Sequence, residues 1–157
     1  MFSETEIVAE LTRLGVSHVV WVPDSVIGQW ETALVTSPDI ELVRVCREGE
    51  AWPLAAGLLV GGKTPLVMMQ TTGLFESGDA MRNVLFDMKL PVFALIGARG
   101  WLNSKSDDSA RRFAEPILRA WSLDSVVIES PEDKPKLAEH YRSCRTEGRP
   151  GIALLAE

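Results

Sequence analysis

Cysteine, histidine and long apolar runs are all scarce in this sequence of 157 residues. The two cysteines, Cys46 and Cys144, are too few for a disulfide framework and lack the spacing of a metal site. The two histidines, His18 and His140, stand far apart, so a zinc site built from histidine and cysteine is not expected. No apolar run reaches the roughly 18–20 residues that cross a bilayer. The polar, acidic segment 1–10 does not resemble a secretory signal peptide.

An excess of positive charge is also missing. Lysine and arginine number 16 against 22 aspartates and glutamates, a formal net charge of −6. Such a chain has no general field that attracts nucleic acid. Its 46% hydrophobic and 24% charged residues are typical of a globular protein, and its length predicts one domain over 1–157. Because the sequence shows neither a membrane-spanning run nor a signal peptide, this composition favours a cytoplasmic protein with reduced cysteines.

Signature motifs of several large enzyme classes are absent too. The sequence has no G-x-G-x-x-G dinucleotide motif, no Walker A loop and no G-x-S-x-G nucleophile elbow. The segment Gly61-Gly62-Lys63-Thr64 resembles the end of a phosphate loop, but it follows a helical pattern and is interpreted as a helix C-terminus.

Strand-like and helix-like segments alternate along the chain. Short apolar runs predict strands at 16–22, 40–45, 65–70, 91–96, 125–128 and 151–155, the first of them buried. Helical spacing and capping signals predict helices at about 4–14, 25–35, 48–59, 73–88, 109–121 and 132–145. This alternation predicts a doubly wound α/β fold, with a mostly parallel sheet of about six strands and helices on both faces.

Ligands of such sheets bind beyond the carboxyl ends of the strands, so the strand-to-helix junctions are candidate sites. At one junction Glu48 begins a helix whose dipole stabilises negative charge, and Glu50 follows two residues later. Acidic residues are common in first helical turns, so a purely structural role is the alternative. At the next junction, 70–77, backbone N–H groups could bind polar ligand atoms, or Thr71 or Thr72 could simply cap a helix.

Five segments, taken in order, carry a family resemblance: Val22-Pro23-Asp24-Ser25, Arg47-Glu48-Gly49 with Ala55-Ala56-Gly57, Gly61 to Pro65, Met69-Gln70 with Gly73-Leu74, and Leu90-Pro91 through Gly100. On these segments nearly the whole chain resembles the pyrimidine-binding domain of thiamine-diphosphate-dependent 2-oxo acid decarboxylases. It is most similar to the alpha subunit of sulfopyruvate decarboxylase and the N-terminal part of phosphonopyruvate decarboxylase. The resemblance implies decarboxylation of 3-sulfopyruvate to sulfoacetaldehyde and CO₂, with 3-phosphonopyruvate as the alternative substrate.

The resemblance also implies roles for particular residues. Glu48 matches the cofactor-activating glutamate, whose carboxylate pairs with N1′ of the aminopyrimidine and favours the tautomer that removes the C2 proton. The cofactor-binding loop is matched by Gln70, Thr72, Gly73 and Leu74. The substrate side is matched by Asp24, Ser25 and Arg99. The Arg99 guanidinium would suit an anionic substrate tail, although a plain surface position is an equal interpretation.

The sequence departs from the family pattern in two respects. Phe75 replaces a small residue and Glu76 replaces an amide, which adds negative charge to the substrate pocket unless the carboxylate faces away. The Gly-Asp-Gly metal motif of the family is missing. The resemblance therefore implies half of an active site, with Mg²⁺ and the diphosphate bound by a beta subunit and at least two copies of each chain.

Two other functions stay open at this point. A carboligase would share the cofactor and change only the later chemistry. A noncatalytic α/β binding module would be a stable monomer indifferent to thiamine diphosphate.

Overall fold

The computed structural model describes residues 1–24 and 27–157. Its strands are β1 (His18–Trp21), β2 (Glu41–Arg44), β3 (Pro65–Gln70), β4 (Phe93–Ala98), β5 (Ser125–Ile128) and β6 (Gly151–Ala156). They form one sheet in the order β2-β1-β3-β4-β6-β5, and every neighbouring pair is parallel. The predicted α/β fold with a six-stranded parallel sheet is confirmed.

The α-helices are α1 (Glu4–Arg13), α2 (Glu31–Thr36), α3 (Glu48–Val60), α4 (Thr71–Glu76), α5 (Gly78–Arg82), α6 (Ser109–Ala120) and α7 (Lys134–Glu147). Short 3₁₀ segments lie at Ile27–Trp30 and Pro131–Asp133, and a π-helical turn lies at Asn83–Asp87. The predicted capping box begins α1, because the Ser3 hydroxyl and the Glu6 carboxylate each accept the other residue's backbone N–H. Within the described part of the chain, no helix has both the length and the apolar character needed to span a membrane.

Successive strand residues face two separate hydrophobic cores. Val19 and Trp21 of β1 belong to the first core, which α1, α2 and α7 cover. Val20 points to the second core, which α3 to α6 cover. Burial on both faces explains why β1, β3, β4 and β6 appear in the sequence as continuous apolar runs rather than as alternating ones, whereas the edge strands β2 and β5 are partly exposed.

The helix predicted over 73–88 begins two residues earlier and is interrupted at Ser77. The buried Ser77 hydroxyl accepts a hydrogen bond from Trp52 Nε1 at 2.9 Å and donates to the Leu74 carbonyl at 3.3 Å. Gly78 follows and is a poor helix former. The interruption therefore serves a tertiary contact, since it ties the junction of α4 and α5 to the middle of α3.

The strand order changes direction between β1 and β3 and again between β4 and β6. In open parallel sheets these switch points leave crevices at the carboxyl ends of the strands. Four polar residues end or follow the strands that border the two crevices, namely Asp24, Gln70, Arg99 and Glu157. The carboxyl edge of the sheet is accordingly the place to look for a ligand site.

Gly151, at the start of β6, packs tightly against neighbouring side chains. A Cβ at Gly151 would lie 2.8 Å from the Phe93 ring and also against the Cys144 thiol. Because overpacking of a core costs about 1–3 kcal/mol, we expect Gly151→Ala to lower the free energy of unfolding by that amount. Gly57→Ala is the control, since a Cβ there meets nothing within 4 Å. Alanine in a helix interior should stabilise the protein by about 0.5–1 kcal/mol.

Urea unfolding of the two variants beside the parent protein measures both effects. Opposite signs are expected. A Gly151→Ala protein as stable as the parent would contradict the packing described for β6.

Candidate active site

Glu48 is the first residue of α3, directly after the extended backbone of Arg47. Its half-buried carboxylate lies against Gly73 in α4. A Cβ at Gly73 would be 2.7 Å from Glu48 Oε1 and 2.9 Å from its Cδ, closer than real Cβ contacts allow. Gly73 therefore has to be glycine for Glu48 to occupy this position. The structure brings together two residues that the sequence had placed in a cofactor site.

Three glutamates stand near this junction, and two of them have structural partners. Glu50 accepts a hydrogen bond from the Cys46 N–H at 3.0 Å, and Glu76 accepts one from the Gly49 N–H at 2.8 Å. Within residues 1–24 and 27–157, no group donates a hydrogen bond to the Glu48 carboxylate. Because partly buried polar groups are normally hydrogen-bonded, this carboxylate is available for a donor on a ligand.

Glu76, at the end of α4, does not add its charge to the crevice. Its Oε1 accepts from Arg47 Nε at 3.1 Å, and its Oε2 accepts from the Gly49 N–H. The Arg47 hydrogen bond and then the Gly49 hydrogen bond lower the pKa of the Glu76 carboxyl. The Glu76 carboxylate, which differs from the amide of the family pattern, thus connects α4 to the N-terminus of α3.

The predicted cofactor loop lies at the end of β3 and the start of α4. Gln70 is half-buried at the last position of β3, and Thr72 is exposed. Leu74 is 1% exposed and packs in the second core. Neither Thr71 nor Thr72 caps the helix, because Gln70 holds the N-cap position and no side chain caps it.

Glu157 was missed by the sequence reasoning. It follows β6 and lies near Gly97 and Gln70. A Cβ built on Gly97 would be 3.7 Å from Glu157 Oε1 and 3.8 Å from Gln70 Cβ. Burial, reinforced by the charge of Asp24 and opposed by that of Arg99, raises the pKa of the Glu157 carboxyl to about 7. The signal that could have found Glu157 is an acidic residue directly after a strongly apolar strand.

The residues predicted for the substrate side have structural contacts of their own. Asp24 Oδ1 accepts from the Ile27 N–H at 3.0 Å, and Ser25 lies outside the described residues. Arg99 Nε lies 2.9 Å from Asp108 Oδ2, and 56% of the Arg99 side chain is exposed. Asp24 and Arg99 lie close enough to Glu157 for their charges to act on its pKa.

No protein-family model matches the chain, but several known proteins are similar to it in sequence. The protein named sulfopyruvate decarboxylase subunit alpha from Methanococcus maripaludis is 31% identical over 125 residues, which cover 78% of the chain and 75% of that relative. The chain belongs to the sulfopyruvate and phosphonopyruvate decarboxylase family. The resemblance stated from the sequence is thereby confirmed.

Two further relatives define how much of a family member the chain represents. A sulfopyruvate decarboxylase subunit alpha from Methanocaldococcus jannaschii is 26% identical over 111 residues, 69% of the chain and 66% of that relative. A phosphonopyruvate decarboxylase from Streptomyces viridochromogenes is 29% identical over 148 residues, 92% of the chain. The chain spans only 37% of the length of that phosphonopyruvate decarboxylase.

A second polar cluster lies at the edge of the sheet opposite the carboxyl ends of the strands. Possible ligand atoms of Asp124, His140 and Cys144 are within 4.8 Å of one another. The Arg149 guanidinium contacts the Asp124 carboxylate and donates to Cys144 Sγ at 3.1 Å. A cationic side chain thus already occupies the space between these groups. Burial also raises the pKa of the Cys144 thiol, which disfavours the thiolate that a metal requires.

The raised pKa of Glu157 predicts a pH-dependent stability. The folded protein binds this proton more tightly than the unfolded chain does, because about 7 exceeds the usual 4.5. The contribution of Glu157 to stability is therefore present below about pH 4.5 and is lost as the pH rises through about 7. We expect the melting temperature of Glu157→Gln to rise relative to the parent between about pH 5 and 8.

Glu147→Gln is the control for this experiment. Hydrogen bonds from Arg149 and Ser143 lower the pKa of Glu147, so it stays ionised over the whole range, and its offset from the parent should stay constant. Parallel melting curves against pH for Glu157→Gln and the parent would contradict a buried, proton-binding Glu157.

Proposed function

We propose that this chain is the pyrimidine-binding alpha subunit of a two-subunit, thiamine-diphosphate-dependent 2-oxo acid decarboxylase. The observation that carries the proposal is the Glu48 carboxylate. It is half-buried at the carboxyl edge, rests against Gly73, and receives no hydrogen bond from the described part of the chain. The similar proteins are named as decarboxylases, which supports decarboxylation as the reaction.

The residues at this edge fit the aminopyrimidine end of thiamine diphosphate. Glu48 would hold a ring nitrogen, and its carboxylate can bind and release one proton there. Gln70, Thr72 and Gly73 would line the ring, while the packing of Leu74 holds their turn in place. When bound, thiamine diphosphate supplies the carbanion and the electron sink that loss of CO₂ from a 2-oxo acid requires.

The other half of the site is assigned to a beta subunit that binds Mg²⁺ and the diphosphate. The sequence has no Gly-Asp-Gly motif. Its nearest approach, Gly78-Asp79-Ala80, lies in α5, where Asp79 accepts a hydrogen bond from Arg82 Nε at 3.0 Å. Two relatives are named subunit alpha, which supports a partner chain. The proposed assembly contains at least two copies of each chain.

The proposed substrate is 3-sulfopyruvate, converted to sulfoacetaldehyde and CO₂, with 3-phosphonopyruvate second. Relatives named for sulfopyruvate and for phosphonopyruvate both match the chain, and the one that is 31% identical is named for sulfopyruvate. Either substrate brings at least two negative charges. Arg99 provides a cation at this edge, and a Glu157 that titrates near pH 7 adds less repulsion than an ionised carboxylate would.

The role of Glu48 is tested in the chain co-expressed with a beta subunit that carries the Gly-Asp-Gly motif. We expect Glu48→Gln to reduce CO₂ release from 3-sulfopyruvate by about 10²–10⁴-fold, because an amide cannot transfer the proton. The melting temperature should stay close to that of the parent protein. Glu50→Gln, two residues away, keeps an acceptor for the Cys46 N–H and should retain activity.

Activity of Glu48→Gln equal to that of the parent would reject the role given to this carboxylate. A chain that stays monomeric beside the beta subunit, and whose melting temperature ignores thiamine diphosphate and Mg²⁺, would instead favour the noncatalytic binding module.

A further inference from the structure

We propose that Glu76 is a positioning residue, which holds the Glu48 carboxylate in place and keeps the neighbouring Arg47 guanidinium away from it. This inference rests on the proposed function, because it concerns how Glu48 is kept ready for a ring nitrogen.

Glu76 contacts the residues immediately before and after Glu48 in the sequence, Arg47 and Gly49. Its two carboxylate oxygens accept from the Arg47 side chain and from the Gly49 backbone N–H, at 3.1 and 2.8 Å. Gly73, three residues earlier on the same helix, contacts Glu48 itself. Three consecutive residues of the α3 N-terminus therefore meet one face of α4. The backbone of Glu48 cannot shift without breaking one of these contacts.

The charges around the Arg47 guanidinium also support a positioning role for Glu76. The charges of Glu76, Glu50 and Glu48 all act on the Arg47 guanidinium, and Glu76 has the largest effect through its hydrogen bond. Without Glu76, this guanidinium would be left near Glu50, which already accepts from the Cys46 N–H, and near a Glu48 carboxylate that has no hydrogen-bond partner in the described part of the chain. Guanidinium and carboxylate groups form strong bidentate pairs. Such a pair would occupy the oxygens that the ring nitrogen needs.

Stability alone does not account for this contact. The Arg47 side chain is 73% exposed and that of Glu76 is 32% exposed, and ion pairs in water contribute little to folding. We therefore expect the loss of Glu76 to change activity far more than melting temperature.

The test is a double-mutant cycle in the complex with the beta subunit. Glu76→Ala should lower kcat/KM for CO₂ release on the order of 10- to 100-fold, because a small displacement of a reacting group is enough for such a loss. Combining it with Arg47→Ala should restore part of the activity, since the competing guanidinium is gone. A purely structural role predicts no such rescue. Glu10→Ala, which removes a similar partner of Arg13 on α1, is the control that should keep full activity.

A second measurement needs neither the beta subunit nor the cofactor. In the chain alone, Glu76→Ala should expose the Gly49 amide to faster hydrogen exchange by NMR, whereas Glu76→Gln keeps an acceptor and should keep the protection. If even the parent complex is inactive, the proposed function fails, while the Gly49 amide still reports on the contact. Unchanged exchange in Glu76→Ala, unchanged kcat/KM, or no recovery in the double variant would each overturn the inference.

Discussion

The contact between the Glu48 carboxylate and the bare α-carbon of Gly73 is the constraint on which the site depends. It requires the N-terminus of α3 and the start of α4 to meet at one edge of the sheet. The two helices follow different strands, β2 and β3, which β1 separates. The buried hydrogen bond from Trp52 to Ser77 then fixes α3 against the junction of α4 and α5. The core packing and the functional edge are thus parts of one arrangement.

The carboxyl edge holds several acidic groups, and the fold accommodates each differently. Glu50 and Glu76 satisfy backbone N–H groups, and Glu76 also pairs with an arginine. Glu157 is partly buried beside Asp24, and its pKa is raised until it titrates near neutral pH. Glu48 and Glu157 are the two whose side-chain oxygens accept no hydrogen bond within the described ranges 1–24 and 27–157. Glu48 differs from Glu157 in lying against Gly73 at the N-terminus of α3, where the helix dipole stabilises negative charge.

Local sequence patterns predicted what depends on local structure. Apolar runs located all six strands, and the capping pattern at Ser3 located the start of α1. The junction rule and the family resemblance both pointed to Glu48. The first turn of α3 is a simple consequence of a strand that ends where a helix begins, so nearby residues were sufficient to predict it.

Other features depend on partners that are distant in sequence, and these were not predicted. The interruption at Ser77 exists because Trp52, 25 residues away, donates to its hydroxyl. The sequence left open whether the Glu76 carboxylate faces the substrate pocket or turns away, and its hydrogen bonds with Arg47 and Gly49, 29 and 27 residues away, could not be predicted. The pKa of Glu157 depends on burial at the end of β6 and on the charge of Asp24. Contacts of this kind exist only in the folded chain.

Binding of a cofactor ring nitrogen at Glu48 is tested most directly by a crystal structure of the chain with its beta subunit, thiamine diphosphate and Mg²⁺. We expect a carboxylate oxygen of Glu48 within about 3 Å of a nitrogen of the pyrimidine ring. A pyrimidine ring bound away from the β3–α4 turn, with Glu48 in solvent or paired with Arg47, would contradict it.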